Sequence, residues 1–316
     1  MVHMILSRLA QLVAMLLLMS FVIYMLIGAM PGDPVDLMSA STPGLTPEII
    51  AHLRAIYGLD QPLLSRYGHW LAAAASGDFG FSRLHAQPVL EVLGPALANT
   101  ARLMLTSFVL SAAIAFVLGI ASAARPGGII DRAVGLFAFT GMSMPTFWLA
   151  LLLILLFAVE LHWLPASGTG DAKSGFGDTL RHLLLPVATL TLATTGNFIR
   201  YVRATLIEAL HLDHIRTARA KGASESRVLL VHALPPALIP LVTVMALSFG
   251  TLFSGALVTE TMFAQPGMGK MIYDAIQGND YNLALTGLLF AILITLLSNF
   301  AADLAYFWLD PRIAHP

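Results

Sequence analysis

Few residues in this 316-residue chain are equipped for chemistry, and their spacing narrows what they can do. His211 and His214 stand three apart, which can set two metal ligands on one helical face. Only Asp213 adds a neighbouring carboxylate, and neither an HExxH pattern nor any cysteine accompanies them, so no metal site is assigned there. His52, His69 and His85 read as solvated side chains, or as contacts for a metal chelate. Gly267-Met268-Gly269-Lys270 looks like the end of a phosphate loop. Ala264 stands where its first glycine belongs, and Met271 follows the lysine where Ser or Thr is required. No paired carboxylates or nucleophile–base pattern lies in the apolar stretches, so catalysis by this chain is not expected.

What remains is a cluster suited to contact. Arg216-Thr217-Ala218-Arg219-Ala220-Lys221-Gly222 reads as a basic turn of helix stopped by glycine, whose left-handed conformation needs no Cβ. Its cations favour that end of the helix dipole. Ala218, Ala220, Gly222 and Ala223 would form a low ridge open to another protein, or the loop would meet anionic lipid headgroups. Leu234-Pro235-Pro236 follows, and its prolines should end or bend the helix Val228–Ala233.

The elements carrying this cluster belong to a membrane. The chain is 57% hydrophobic and 11% charged, against roughly a quarter charged in a soluble domain. Six stretches lack Asp, Glu, Lys and Arg: Leu9–Ala29, Leu103–Ala124, Ala133–Val159, His182–Ile199, Val228–Thr259 and Tyr281–Ala302. A hydrocarbon core about 30 Å thick takes roughly 20 apolar helical residues. Five stretches clear that length and His182–Ile199 falls just short. The expectation is an all-α membrane protein of about six spans. Leu9–Ala29 is longer than a signal h-region and reads as an uncleaved first span.

Charge between the spans gives the orientation. One side carries ten basic against six acidic residues, the other seven against twelve. The positive-inside rule then places both termini and loop 200–235 in the cytoplasm, with segment 30–100 outside. In that outer segment Thr46-Pro47-Glu48 reads as a helix start carrying Ile49, Ile50, Leu53, Ile56 and Tyr57. Pro62 opens a second short helix with Leu63, Tyr67, Trp70 and Leu71, and Ser76-Gly77-Asp78-Phe79-Gly80 closes it. The segment reads as an outer cap, or as two helices in the headgroup layer. The whole of 1–316 is taken as one membrane domain.

The interval from Thr217-Ala218 through Gly222, nine further residues, and then His232-Ala233-Leu234-Pro235 resembles the EAA loop of bacterial ABC importer permeases. More narrowly, the chain resembles the dipeptide/oligopeptide/nickel permease family over nearly its full length. The matching segments begin with Pro31-Gly32-Asp33-Pro34, Gly58-Leu59-Asp60-Gln61-Pro62-Leu63, Gly77-Asp78-Phe79-Gly80 and Pro145-Thr146-Phe147-Trp148-Leu149. Trp163-Leu164-Pro165-Ala166-Ser167-Gly168, Ile215–Gly222, Glu260–Gly269 and Leu309-Asp310-Pro311-Arg312 complete the set. Two departures stand out. Arg216 replaces the glutamate that names the loop, and Pro235-Pro236 replaces the usual Arg-Asn.

The resemblance implies an ABC importer type I permease fold working in the bacterial inner membrane. This subunit would pair with a second, similar permease, two cytoplasmic ATPases, an external substrate-binding protein and membrane lipid, with no nucleic acid involved. Residues 216–222, with Leu234 and Pro235, would couple to an ATPase. That partner would use ATP and magnesium, and this chain would bind no cofactor. Di- or oligopeptides are the expected cargo, with nickel or another metal chelate as the alternative. A stand-alone secondary transporter or channel is the competing class, and it should move cargo as a single chain. Ion-coupled carriers usually hold ionisable groups within their spans, which are uncharged here. Ser143, Asn197, Thr243 and Ser254 are the candidates to line a polar path.

Overall fold

A computed structural model describes residues 2–29, 35–36, 39, 46–56, 59–170 and 175–309. Pro31–Pro34, Tyr57, Gly58, and the terminal Asp310-Pro311-Arg312 lie outside the described residues, as does the side chain of Ser254. The chain forms two compact units: residues 1–98 with 267–293, and residues 99–266 with 294–316.

The first unit begins with α1, Val2–Gly28. Leu6, Leu18 and Leu26 are 59%, 55% and 65% exposed, which is affordable only against lipid for so apolar a helix. Next come α2, Pro47–Ile56, and α3, Leu63–Ala75. The Thr46 hydroxyl accepts the Ile49 N–H at 3.4 Å, as the capping reading expects. Helix α3 does not stand clear of the first span. Its Tyr67 meets the Ser20 hydroxyl at 2.9 Å and packs edge-on against Phe21 and Tyr24.

After the turn at Gly77–Gly80 comes a small antiparallel hairpin that the sequence reading did not foresee, β1 Phe81–Ser82 with β2 Gln87–Pro88. It leads straight into α4, Val89–Ala124, which starts well before the charge-free stretch that announced it. The unit closes with α10, Met268–Gln277, and the start of α11, Tyr281–Leu309.

The second unit holds α5, Ile129–Ser143, and α6, Thr146–Leu153, which widens into π-helical Ile154–Glu160. The expected span Ala133–Val159 is bent: its two halves meet at 105°. Pro145 bars helical geometry at the residue before it and has no N–H for the turn behind. Met144 is accordingly extended, with φ −90° and ψ 127°. The short stretch His182–Ile199 lies inside α7, Phe176–Ala209, whose charged ends had hidden its length.

Helix α8, Asp213–Ala220, and a single turn, Glu225–Arg227, lead to π-helical Val228–Ala233 and α9, Leu234–Met262. Here too a break moves. Pro235 and Pro236 sit in the first turn of α9, where missing N–H groups cost little. The 53° bend falls between Leu238 and Pro240. The described residues therefore hold four unbroken helices able to cross a bilayer, and six spans when each bent pair counts as one.

One core cluster of this unit brings Phe198, Ile199, Val202 and Leu206 of α7 against Val134 and Ala138 of α5 and Ala237 and Leu241 of α9. The α5–α7 crossing is close because of Gly196. A Cβ there would lie 2.4 Å from the Ala138 carbonyl oxygen.

Candidate functional site

The elbow between α7 and α9 is built on two apolar side chains. Ile215 is fully buried and Ala218 is 7% exposed, and both join the core cluster with Leu206, Ala209, Val228 and Ala233. This spacing of three gives α8 one inward face. It also corrects the expected ridge, because Ala218 points into the subunit. Arg216, Thr217, Arg219, Ala220, Lys221 and Gly222 remain exposed.

Three local devices hold the elbow's shape. Gly222 adopts φ +82°, and its N–H reaches the Arg219 carbonyl at 2.9 Å while the Ala223 N–H reaches that of Ala218 at 3.2 Å. This is a Schellman stop, which closes the orphan carbonyls of the helix end. Arg219 then grips Glu225 with two hydrogen bonds of 3.0 Å, and that contact raises the Arg219 pKa from its ordinary value. Finally, Pro236 has no N–H for the carbonyl of His232, four residues back. His214 Nε2 donates to that carbonyl instead, at 3.1 Å. His211 bonds the Ile207 carbonyl through Nδ1 at 2.7 Å, so the two histidines serve separate structural ends.

Behind the elbow lies a network with no forewarning in the sequence. Asp131, 8% exposed on α5, takes two hydrogen bonds from Arg203 of α7, Nε at 2.6 Å and Nη2 at 2.9 Å. Ser122 and the Gly127 N–H complete its shell. The carboxylate thus ties the α4–α5 turn and α5 to the helix that ends at the elbow. A bidentate pair of this geometry resists sliding of α5 along α7.

A polar strip runs along α7. Thr194, Asn197, Arg200, Tyr201 and Ala204 fall on one face, while Phe198, Ile199 and Val202 are buried on the other. Two clefts line it. One of 380 Å³ is bounded by Thr146, Asn197, Tyr201, Ser248 and Gly255, the other of 360 Å³ by Asn197, Arg200, Tyr201 and Arg203.

Of the expected path residues, Asn197 is central to both clefts, and its amide has no hydrogen bond to another described residue. Ser143 is exposed beside the 105° break but bonds its own backbone at Phe139, at 2.8 Å. Thr243 is half-buried and lines neither cleft. Thr194 and Ser248 bond their own helices, as membrane hydroxyls commonly do.

Comparison with known proteins agrees along the whole chain. The family model described as "binding-protein-dependent transport system inner membrane component" matches residues 115–315, and the model of its N-terminal part matches residues 1–115. The probable peptide ABC transporter permease protein y4tP of Sinorhizobium fredii is 35% identical, over 98% of this chain and 99% of that relative. The dipeptide transport system permease protein DppB of Escherichia coli is also 35% identical, over 100% and 99%. Among solved structures, the MetNI methionine ABC transporter in an inward-facing conformation aligns with a TM-score of 0.57. It covers 70% of this chain and 97% of that chain at 21% identity, a likeness of fold. The chain therefore belongs to the binding-protein-dependent transport system inner membrane components and is a membrane-spanning permease of an ABC importer.

Proposed function

We propose that this permease forms half of a peptide-import pore and takes its driving force through α8. The polypeptide pairs with a second permease and two cytoplasmic ATPases, and receives di- or oligopeptides from an external binding protein. Both termini and loop 200–235 lie in the cytoplasm in this reading, and segment 30–100 lies outside. ATP and magnesium act in the ATPase partners, and this chain binds no cofactor of its own.

One observation carries the coupling role. Helix α8 is fastened by Ile215 and Ala218 to both spans it joins, while Arg216, Ala220 and Lys221 stay exposed on its free side. A short helix held this way passes displacement to α7 and α9 as a rigid body rather than absorbing it. The Asp131–Arg203 clasp extends the moving body to α5.

The strip centred on Asn197, with Ser143, Thr243 and Ser254 as further candidates, supplies the polar path. A free amide on a membrane helix is poorly tolerated by lipid, and an aqueous passage or a partner's polar face relieves that cost. The peptide assignment rests on the full-length likeness to permeases named for peptide and dipeptide transport.

The test uses the full set of subunits expressed together. Replacing Ala220 and Lys221 by tryptophan should abolish both ATPase co-purification and labelled dipeptide uptake, while the permease stays in the membrane. Normal uptake in that variant would remove α8 from the coupling role. Nickel uptake in place of dipeptide uptake by the unaltered transporter would overturn the cargo assignment and leave the coupling intact.

A further inference from the structure

The first unit contains a cleft that import does not explain. It measures 190 Å³ and is lined by Tyr24 and Ile27 of α1, Arg66 and Trp70 of α3, Arg83 of the hairpin and Leu285 of α11, among others. The charge-free stretch of α1 ends at this level and that of α11 begins there, so the cleft lies where hydrocarbon gives way to water. Its wall is aromatic. Tyr24 packs against Tyr67 at 5.5 Å and against Trp70 at 5.8 Å between ring centroids, the kind of cluster that membrane interfaces favour.

Two cationic side chains line the cleft. Arg66 and Arg83 both belong to that lining; Arg83 donates to the Gly278 carbonyl, and neither forms an ion pair with a described carboxylate. Asp280, the acidic group in the lining, is already spent. It accepts from the Ser82 hydroxyl at 2.6 Å and from the N–H groups of Leu84 and Leu283 at 3.0 and 3.3 Å. The Trp70 indole N–H is buried with no hydrogen-bond partner among the described residues. A buried donor is costly to leave unmet, and an acceptor reaching the cleft relieves that cost. Apolar surface adjoins these donors: Ile27 and Leu285 line the cleft, and Leu26 of α1 and Leu64 of α3 are exposed.

We propose that this cleft binds the phosphate of a membrane phospholipid. The phosphate oxygens accept from Arg66 and the Trp70 N–H, and the acyl chains lie along the exposed apolar face of α1. Planar guanidinium groups suit phosphate oxygens. A lipid also satisfies both halves of the cleft at once, which a free anion does not. The inference depends on the membrane location of the chain and not on its cargo or on the coupling role of α8.

The experiment reads retained lipid. The full-length permease, purified in detergent and titrated with phosphatidylglycerol, is analysed by native mass spectrometry. Arg66→Gln and Trp70→Phe, the latter keeping the ring contacts, should each lower retained phosphatidylglycerol by about tenfold, the effect of losing one charge-assisted bond. Should Arg66→Gln fail to fold, Trp70→Phe still decides the question. Retention unchanged in the folded variants overturns the proposal. So does displacement of the lipid by inorganic phosphate at equal concentration, which would mark a site for the free anion.

Discussion

Helix α8 and the hairpin Phe81–Pro88 are both short pieces that only a larger helix can hold in place, and they are held by opposite means. The elbow buries apolar side chains, Ile215 and Ala218, and leaves its charges in water. The hairpin leaves Phe81 56% exposed and buries polar groups instead, with Ser82 at 0% and Asp280 at 2%. Apolar anchoring tolerates small shifts, because dispersion and hydrophobic burial lack direction. Hydrogen bonds to a buried carboxylate fix distance and angle together. An element proposed to travel with two spans suits the first kind of fastening, and one that must hold a loop still suits the second.

Substitutions can break this contrast, and the largest effect is expected at the elbow's anchor. Ile215→Ala should lower stability by about 3 kcal/mol, as a fully buried Ile lost from a core does. Thermal unfolding in detergent would show it, and ATPase stimulation by cargo should fall with it. Asp280→Asn should come next, at about 2 kcal/mol, because one amide oxygen cannot replace two carboxylate oxygens serving three donors. Its signature is faster hydrogen exchange confined to residues 81–88 and the first turn of α11. If exchange quickens across the whole chain instead, the hairpin is not a separately fastened piece.

Gly222→Ala should cost about 1 kcal/mol, since φ of +82° is strained for any residue with a Cβ. Exchange of the Gly222 and Ala223 amides should quicken as the Schellman stop loosens. The smallest effect belongs to Glu225→Gln. Its pair with Arg219 is largely exposed, with side-chain accessibilities of 74% and 43%, and such pairs add little to stability. The melting midpoint should not move. A clear drop would show that the elbow depends on its charges, and the contrast with the hairpin would then fail.

How much could be read in advance follows the same division. The elbow was legible because its signals are local: a basic turn, a glycine stop and a proline pair within twenty-one residues. The break at Pro145 was also written in the chain, but a search for uncharged length passed over it. The Asp131–Arg203 and Ser82–Asp280 contacts join residues 72 and 198 apart, and no pattern along the chain announces a partner at such range. Thr243 lines neither cleft for a related reason. A hydroxyl on an apolar helix gives no sign of which side it faces.

The amino-acid order alone determined that the chain lives in lipid, which stretches cross it, where the elbow falls and which family it joins. Those properties accumulate residue by residue, since each side chain meets hydrocarbon or water on its own account. Tertiary structure alone decided that Ala218 faces inward, that Asn197 opens onto two clefts, and that Trp70 holds an unmet donor beside Arg66. Each of these depends on which distant segment covers a given face, and a helix of one composition can be covered on any side.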